Sequence, residues 1–316
     1  MHTEWQESLN LFTANATAMH KAFPWRNDGA NRLAALACAR QGKAVDAEAV
    51  RRCLVLIKES TNAFSGFRGD MQVYLAARLS LHADPGAFFS EAQRAHDLLK
   101  AAKFSAMNYR AIAAMQLAEL CDPARFDEIA ARAKAFYDGM KRDHFWLTGN
   151  DDTIVCVLLA LSNLSVDDGL FRMEGLYQQF KPSFNGRNNL QALAQVLTLG
   201  GEGAADRLLP LDAALKAIKT RMDQAFTLPA LGVLALLSAP AEEIAATLRE
   251  MEKYLHAQKG FGSFVVGKQL RLLYAAGLLL REPIEGLPAG VFDALVVGST
   301  ITQQMHQAAA VDVVMP

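Results

Sequence analysis

The chain has 316 residues, with 32 Lys and Arg against 33 Asp and Glu, a formal net charge of −1 and 52% hydrophobic residues. A charge so near zero carries no broad basic field, so neither nucleic acid nor an anionic membrane surface is an expected partner. The apolar fraction is ample for an extensive core, and the expectation is one domain spanning residues 1–316.

The opening MHTEWQESLNLF lacks a basic stretch followed by an apolar run and does not read as a signal peptide. From Asn27, NDGANRLAALACARQG is a polar turn followed by an Ala/Leu-rich helix. The same arrangement recurs in FSGFRGDMQVYLAARLSL from Phe64, FSAMNYRAIAAMQLAEL from Phe104, LTGNDDTIVCVLLALSNL from Leu147 and FNGRNNLQALAQVLTLGG from Phe184. It returns in AFTLPALGVLALLSAP from Ala225 and FGSFVVGKQLRLLYAAGLLL from Phe261. The helix centres fall near Leu36, Ala77, Ala114, Leu158, Ala194, Leu234 and Leu273, roughly 40 residues apart, a period found in helical repeat architectures.

Helices of a second kind lie between them. AVDAEAVRRCLVLIKES, SEAQRAHDLLKAA, FDEIAARAKAFYDGMKR and AEEIAATLREMEKYLHAQK each carry one apolar stripe and one charged face. ADRLLPLDAALKAIKTRM fits less well, because Pro210 is expected to break or kink it. The stretch 289–314 is apolar enough to suggest a membrane span, but Asp293, Gln303, Gln304, His306 and Asp312 are costly in hydrocarbon, and a buried terminal helix is expected instead. No segment shows the alternating β-branched pattern of a sheet, so the fold is predicted to be all-α.

Helices apolar on most faces belong inside, and amphipathic ones outside. Seven such hairpins can close into an α/α toroid or stack as an open solenoid; closure is favoured because the inner helices offer little polar surface. Cys38 and Cys156 fall in apolar helical runs and are expected to pack as small hydrophobes in a reduced, cytoplasmic setting.

Parallel repeats begin every inner helix at the same end, which gathers the preceding turns into a rim. Asp70, Asn150 or Asp151, Asn188 and Thr227 suit the role of N-caps there. Caps do not explain Arg26, Arg68, Arg187 and Lys268, since a cation is unfavourable beside its own helix N-terminus. Two readings stand: pairing with carboxylates, such as Arg68 with Asp151 or Asp152, or an anion site of arginine forks and helix N-termini. The adjacent Asp151 and Asp152 read as one cap plus one ion-pair partner, with an acid/base or cation site as the alternative, and His144 reads as an ordinary packed or hydrogen-bonded residue. The turn aromatics Trp25, Phe64, Phe67, Trp146, Phe184, Phe261 and Phe264 are expected to wedge the turns together, a subset serving as stacking platforms. No phosphate loop, dinucleotide fingerprint or nucleophile elbow occurs.

FSGFRG, KAFYDGMKRDHFWLTGNDD, NNLQALAQVLTLG and QKGFG with VGKQLRLLYAAGLLL together resemble the bacterial family designated domain of unknown function 4003, over nearly the whole chain. The resemblance implies a single-domain, soluble bacterial protein and transfers no catalytic residue. Sevenfold α/α toroids also include the lanthionine-forming cyclases, whose zinc is held by two cysteines and a histidine at the inner-helix mouths. The cysteines here lie outside the rim turns and none neighbours a histidine, so that zinc chemistry is not expected; no other cofactor is expected either.

The leading expectation is a binding protein for an anionic small molecule or an acidic peptide end. Arg68, Arg187 and Lys268 would supply charge, Asn188 would orient the ligand, and Trp146 would stack or exclude water. The alternatives are a carbohydrate-active or other hydrolase with Asp70 and Asp151 or Asp152 as acid and base, and a helical scaffold for protein partners.

Overall fold

The computed structural model describes residues 2–201, 203–224 and 227–279. Every regular element among them is helical. In order these are α1 (His2–Ala22), α2 (Asp28–Arg40), α3 (Ala47–Ser60), α4 (Gln72–Leu79), α5 (Pro85–Ala101), α6 (Met107–Leu120) and α7 (Phe126–Asp143). They continue with α8 (Asp152–Leu161), α9 (Val166–Phe180), α10 (Arg187–Leu199), α11 (Gly203–Ala217), α12 (Leu228–Leu234), α13 (Ala241–Ala257) and α14 (Lys268–Leu279). No described helix is long and apolar enough to cross a membrane. The segment 289–314 lies outside the described residues.

All seven expected inner helices are present as α2, α4, α6, α8, α10, α12 and α14, and all seven expected centres are buried. In α4 every residue from Gln72 to Leu79 is buried, including Gln72 and Arg78, so the helix has no solvent-facing stripe. A fully buried leucine contributes about 1.5–3 kcal/mol, so these helices hold much of the core. The alternating helices show single stripes, such as Val50, Cys53 and Ile57 in α3, or Phe89, Ala92, Ala95 and Leu99 in α5. Cys38 and Cys156 are buried, and burial pushes the Cys38 thiol up to about 11, as expected of packed thiols.

The described residues form two compact units, 2–137 with 149–161, and 138–148 with those between 162 and 279. In the first, α1 packs on α2, α3 on α4 and α5 on α6, while α2 meets α4 and α6 meets α8. In the second, α9 packs on α10, α11 on α12 and α13 on α14, with α10 against α12.

Pro210 does not end α11, which runs from Gly203 to Ala217. Pro210 and Asp206 are both exposed, so the Asp206 carbonyl that loses its partner is open to water, and the penalty of an interior proline falls accordingly. The helix α9 was not among the expected ones; its stripe of Leu170, Met173, Leu176, Tyr177 and Phe180 is masked in the sequence by Gly169 and Gly175.

The caps are partly redistributed. Asn27, Asp46, Asp84 and Ser165 accept from first-turn N–H groups. Asp70 is exposed, and Met71 holds the N-cap position of α4. Asn188 lies inside α10, behind Gly186 as N-cap. Thr227 occupies the N-cap position of α12, but its hydroxyl donates backward to the Met222 carbonyl at 3.0 Å.

One device recurs in both units. A buried polar side chain one turn into an inner helix donates to the carbonyl of a buried phenylalanine in the preceding turn. Asn31 Nδ2 reaches the Phe23 carbonyl at 3.1 Å, Arg110 reaches that of Phe104, and Arg271 Nη1 that of Phe261 at 3.1 Å. Each such bond satisfies a carbonyl that the packed ring shields from water.

Candidate anion-binding groove

The starts of four inner helices gather at one end of the first unit. Arg26 Nη1 donates to Gln72 Oε1 at 3.1 Å, linking the mouths of α2 and α4. The glycines before α4 rest directly on α6, Gly66 against the Met107 carbonyl and Gly69 against Asn108. Ser105 Oγ donates to Asn150 Oδ1 at 2.8 Å, linking the mouths of α6 and α8. Within this unit the turns before the inner helices therefore share one end, as parallel repeats require.

The turn after α3 is built from local polar bonds. Asn62 Oδ1 accepts from the Phe64 N–H at 3.0 Å, and Ser65 Oγ from the Phe67 N–H at 3.3 Å, opening a short 3-10 turn at Gly66–Arg68. Phe67 is buried edge-on to Phe89 at 5.1 Å. Arg68, next along, extends to the end of α3. Its Nε donates to Thr61 Oγ1 at 3.0 Å and its Nη2 to the carbonyls of Lys58 and Thr61. The guanidinium thus sits at the negative end of α3's dipole rather than pairing with Asp151 or Asp152.

Beside it lies an open groove of about 440 Å³. Arg26, Lys58 and Arg68 line it with Gln72, over an aliphatic floor of Leu54, Val55 and Ala63, and no carboxylate is among the lining side chains. Lys58 was not a candidate in the sequence, because it lies on the charged face of an outer helix and nothing local links it to the rim.

The remaining candidates divide as follows. Asp152 is buried and its Oδ2 accepts from the Gly149 N–H at 2.7 Å. Burial, with Asp151 and Asp152 adding to it, pushes the Tyr109 phenol up to about 12. In the second unit Arg187 and Asn188 are exposed at the start of α10, and Lys268 Nζ reaches the Lys219 carbonyl at 3.4 Å. Trp146 is exposed, edge-on to Phe145 at 5.2 Å. His144 Nε2 meets Glu174 Oε2 at 2.6 Å. Burial raises the Glu174 carboxyl, but hydrogen bonds from Gln178 and His144 outweigh it and hold the group below its usual range. Among the described residues no cluster of three or more His, Cys, Asp or Glu could hold a metal ion.

The turn aromatics split in two. Phe67, Phe184 and Phe261 are buried wedges, whereas Trp25, Phe64, Trp146 and Phe264 stand exposed.

His96 on α5 packs against Phe67 with ring centroids 5.2 Å apart and accepts from Arg110 Nε at 3.0 Å through Nε2. That bond requires a neutral imidazole. Burial, reinforced by Arg110, holds the His96 pKa below its ordinary value against the opposing pull of Asp97. A histidine depressed on folding stabilises the protein above its unfolded pKa, and the contribution disappears as pH falls through the folded value. Unfolding free energy should therefore decline from about pH 6.5 downward. Denaturant titrations across that window on wild type and His96→Gln check this, and the variant should show a flatter decline.

The fold and groove define an all-α helical-repeat protein with a cation-lined concavity at one end of its first unit. The chain belongs to the family described as "Protein of unknown function (DUF4003)", whose profile matches residues 15–307. No curated protein and no solved structure matches it.

Proposed function

We propose that this chain is a cytoplasmic bacterial binding protein whose groove beside α3 takes the anionic group of a small molecule or the acidic end of a peptide. The observation that carries the reading is the convergence of Arg26, Lys58 and Arg68 on one concavity with no carboxylate in its lining. An anion there meets three positive charges: Lys58 and the exposed Arg26 can donate to its oxygens, while Arg68, whose Nε and Nη2 already serve Thr61 and Lys58, adds its charge and its Nη1. Arg68 is held in place by the α3 carbonyls, so its charge is positioned before any ligand arrives.

Thermal unfolding at fixed ionic strength with inorganic pyrophosphate, citrate and a short acidic peptide tests this. An anion at a hundred times its dissociation constant should stabilise the protein by about 2.7 kcal/mol. The shift should vanish in Arg26→Ala/Lys58→Ala, whose substituted side chains are exposed and leave the core intact. No shift with any anion, or an equal shift in the double variant, sinks the reading.

A further inference from the structure

The turn that borders the cationic groove also contributes to a second open cavity, of about 380 Å³, completed by α5 and the start of α6. That volume lies in the range of small-molecule sites. Its chemistry differs from that of its neighbour. Phe64, 85% exposed, and Met107, 49% exposed, both line it, so two large apolar side chains converge on one concavity instead of being scattered singly. Asp97 and Lys100, exposed and one turn apart on α5, place opposite charges on the same wall.

The base of the cavity is already fixed. His96 accepts from Arg110 through Nε2, and its Nδ1 lies 3.4 Å from Asp97 Oδ1, which holds one side of that carboxylate. Gln93 Nε2 donates to the Ser60 carbonyl at 2.8 Å and ties the α5 wall to the end of α3. Arg110 adds a buried positive charge at the base, with its Nε and Nη1 taken up by His96 and the Phe104 carbonyl, so the exposed groups left for a ligand are Asp97, Lys100, Phe64 and Met107.

We propose that this cavity binds a small zwitterion bearing an aromatic ring, the chemistry of an aromatic α-amino acid. Its ammonium meets Asp97, its carboxylate meets Lys100, and its ring lies between Phe64 and Met107. A simple anion or simple cation pairs with only one of the two exposed charges, Asp97 and Lys100, whereas a zwitterion pairs with both and so gains a contact that neither mono-ion makes. A ring is favoured over an aliphatic chain because it stacks on Phe64 and makes a sulfur–aromatic contact with Met107. None of the three cations of the neighbouring groove lines this cavity, so the inference stands or falls apart from the anion reading.

Isothermal titration calorimetry on the whole chain at pH 7.5 tests it with L-phenylalanine, phenethylamine, hydrocinnamate and L-alanine, each with and without inorganic pyrophosphate. L-Phenylalanine is expected to bind, and the three analogues, each lacking one charge or the ring, should bind at least five-fold more weakly. Phe64→Ala, Asp97→Asn and Lys100→Gln should each weaken L-phenylalanine at least five-fold while leaving the melting midpoint within a degree or so of wild type, as befits exposed positions. Pyrophosphate should not displace the amino acid. The proposal is overturned by absence of L-phenylalanine binding, by equal binding of phenethylamine or hydrocinnamate, by unchanged affinity in Phe64→Ala, or by displacement with pyrophosphate, which would put the ligand in the cationic groove.

Discussion

Replacing Arg271 by methionine is expected to destabilise the second unit by about 3–5 kcal/mol, the usual cost of stranding one member of a buried ion pair. Arg271 is 3% exposed, and both its Nε and Nη2 lie 2.7 Å from Glu252 Oε1 on α13. Its Nη1 serves the carbonyls of Phe261 and Val266 in the turn between the two helices. The methionine variant leaves a buried carboxylate and two carbonyls without their donor, whereas Arg271→Met/Glu252→Leu removes the stranded charge and should recover much of the loss. Denaturant unfolding of the wild type and both variants checks this. A single variant costing under 1 kcal/mol would show that water enters the site and takes over the role of the guanidinium.

Gly66→Ala is the second large effect. A β-carbon at position 66 would fall on the carbonyl oxygen of Met107, with the Met107 carbonyl carbon immediately behind it. Main chain cannot swing aside as a flexible side-chain end can, so the 3-10 turn and the start of α6 must part. Phe67, buried beside Phe89, moves with them. A loss of about 3 kcal/mol, in the range of overpacked interiors, is expected. Gly42→Ala is a useful contrast: no atom crowds that position, and its penalty arises only from a φ of +65°. Gly66→Ala should be clearly the worse of the two in the same unfolding assay.

The seven inner helices were legible because burial on all sides leaves a compositional mark that needs no partner to interpret. In α8 the unbroken apolar run from Ile154 to Leu161 is itself the statement of location. The hydrogen-bond partners of Arg68 were not legible for a definable reason. In the sequence Arg68 stands next only to α4, the helix it precedes, whose dipole disfavours a cation. In an antiparallel hairpin the C-terminus of the outer helix lies alongside, and its carbonyls are what Arg68 serves. Lys58 and His96 remained hidden because they sit on outer helices and join the end of the first unit only through the packing of α3, α4, α5 and α6. The aromatics could not be sorted either. Phe64 and Phe67 lie three residues apart in one turn, and which of them faces inward follows from the 3-10 turn between them, set by Ser65 and Gly66.

The bonds from Asn31, Arg110 and Arg271 to phenylalanine carbonyls divide each turn into an anchor and a tip. The anchor, ring and carbonyl together, faces inward and fixes where the next helix begins. The tip, Trp25 after Phe23 or Phe264 after Phe261, is exposed and takes no part in that bond. Residues at the tips can therefore be exchanged without disturbing the frame that carries them. Relatives built on the same hairpins can diverge in what their end faces recognise while keeping one architecture, and tip-by-tip grafting is a direct route to changing that recognition by design.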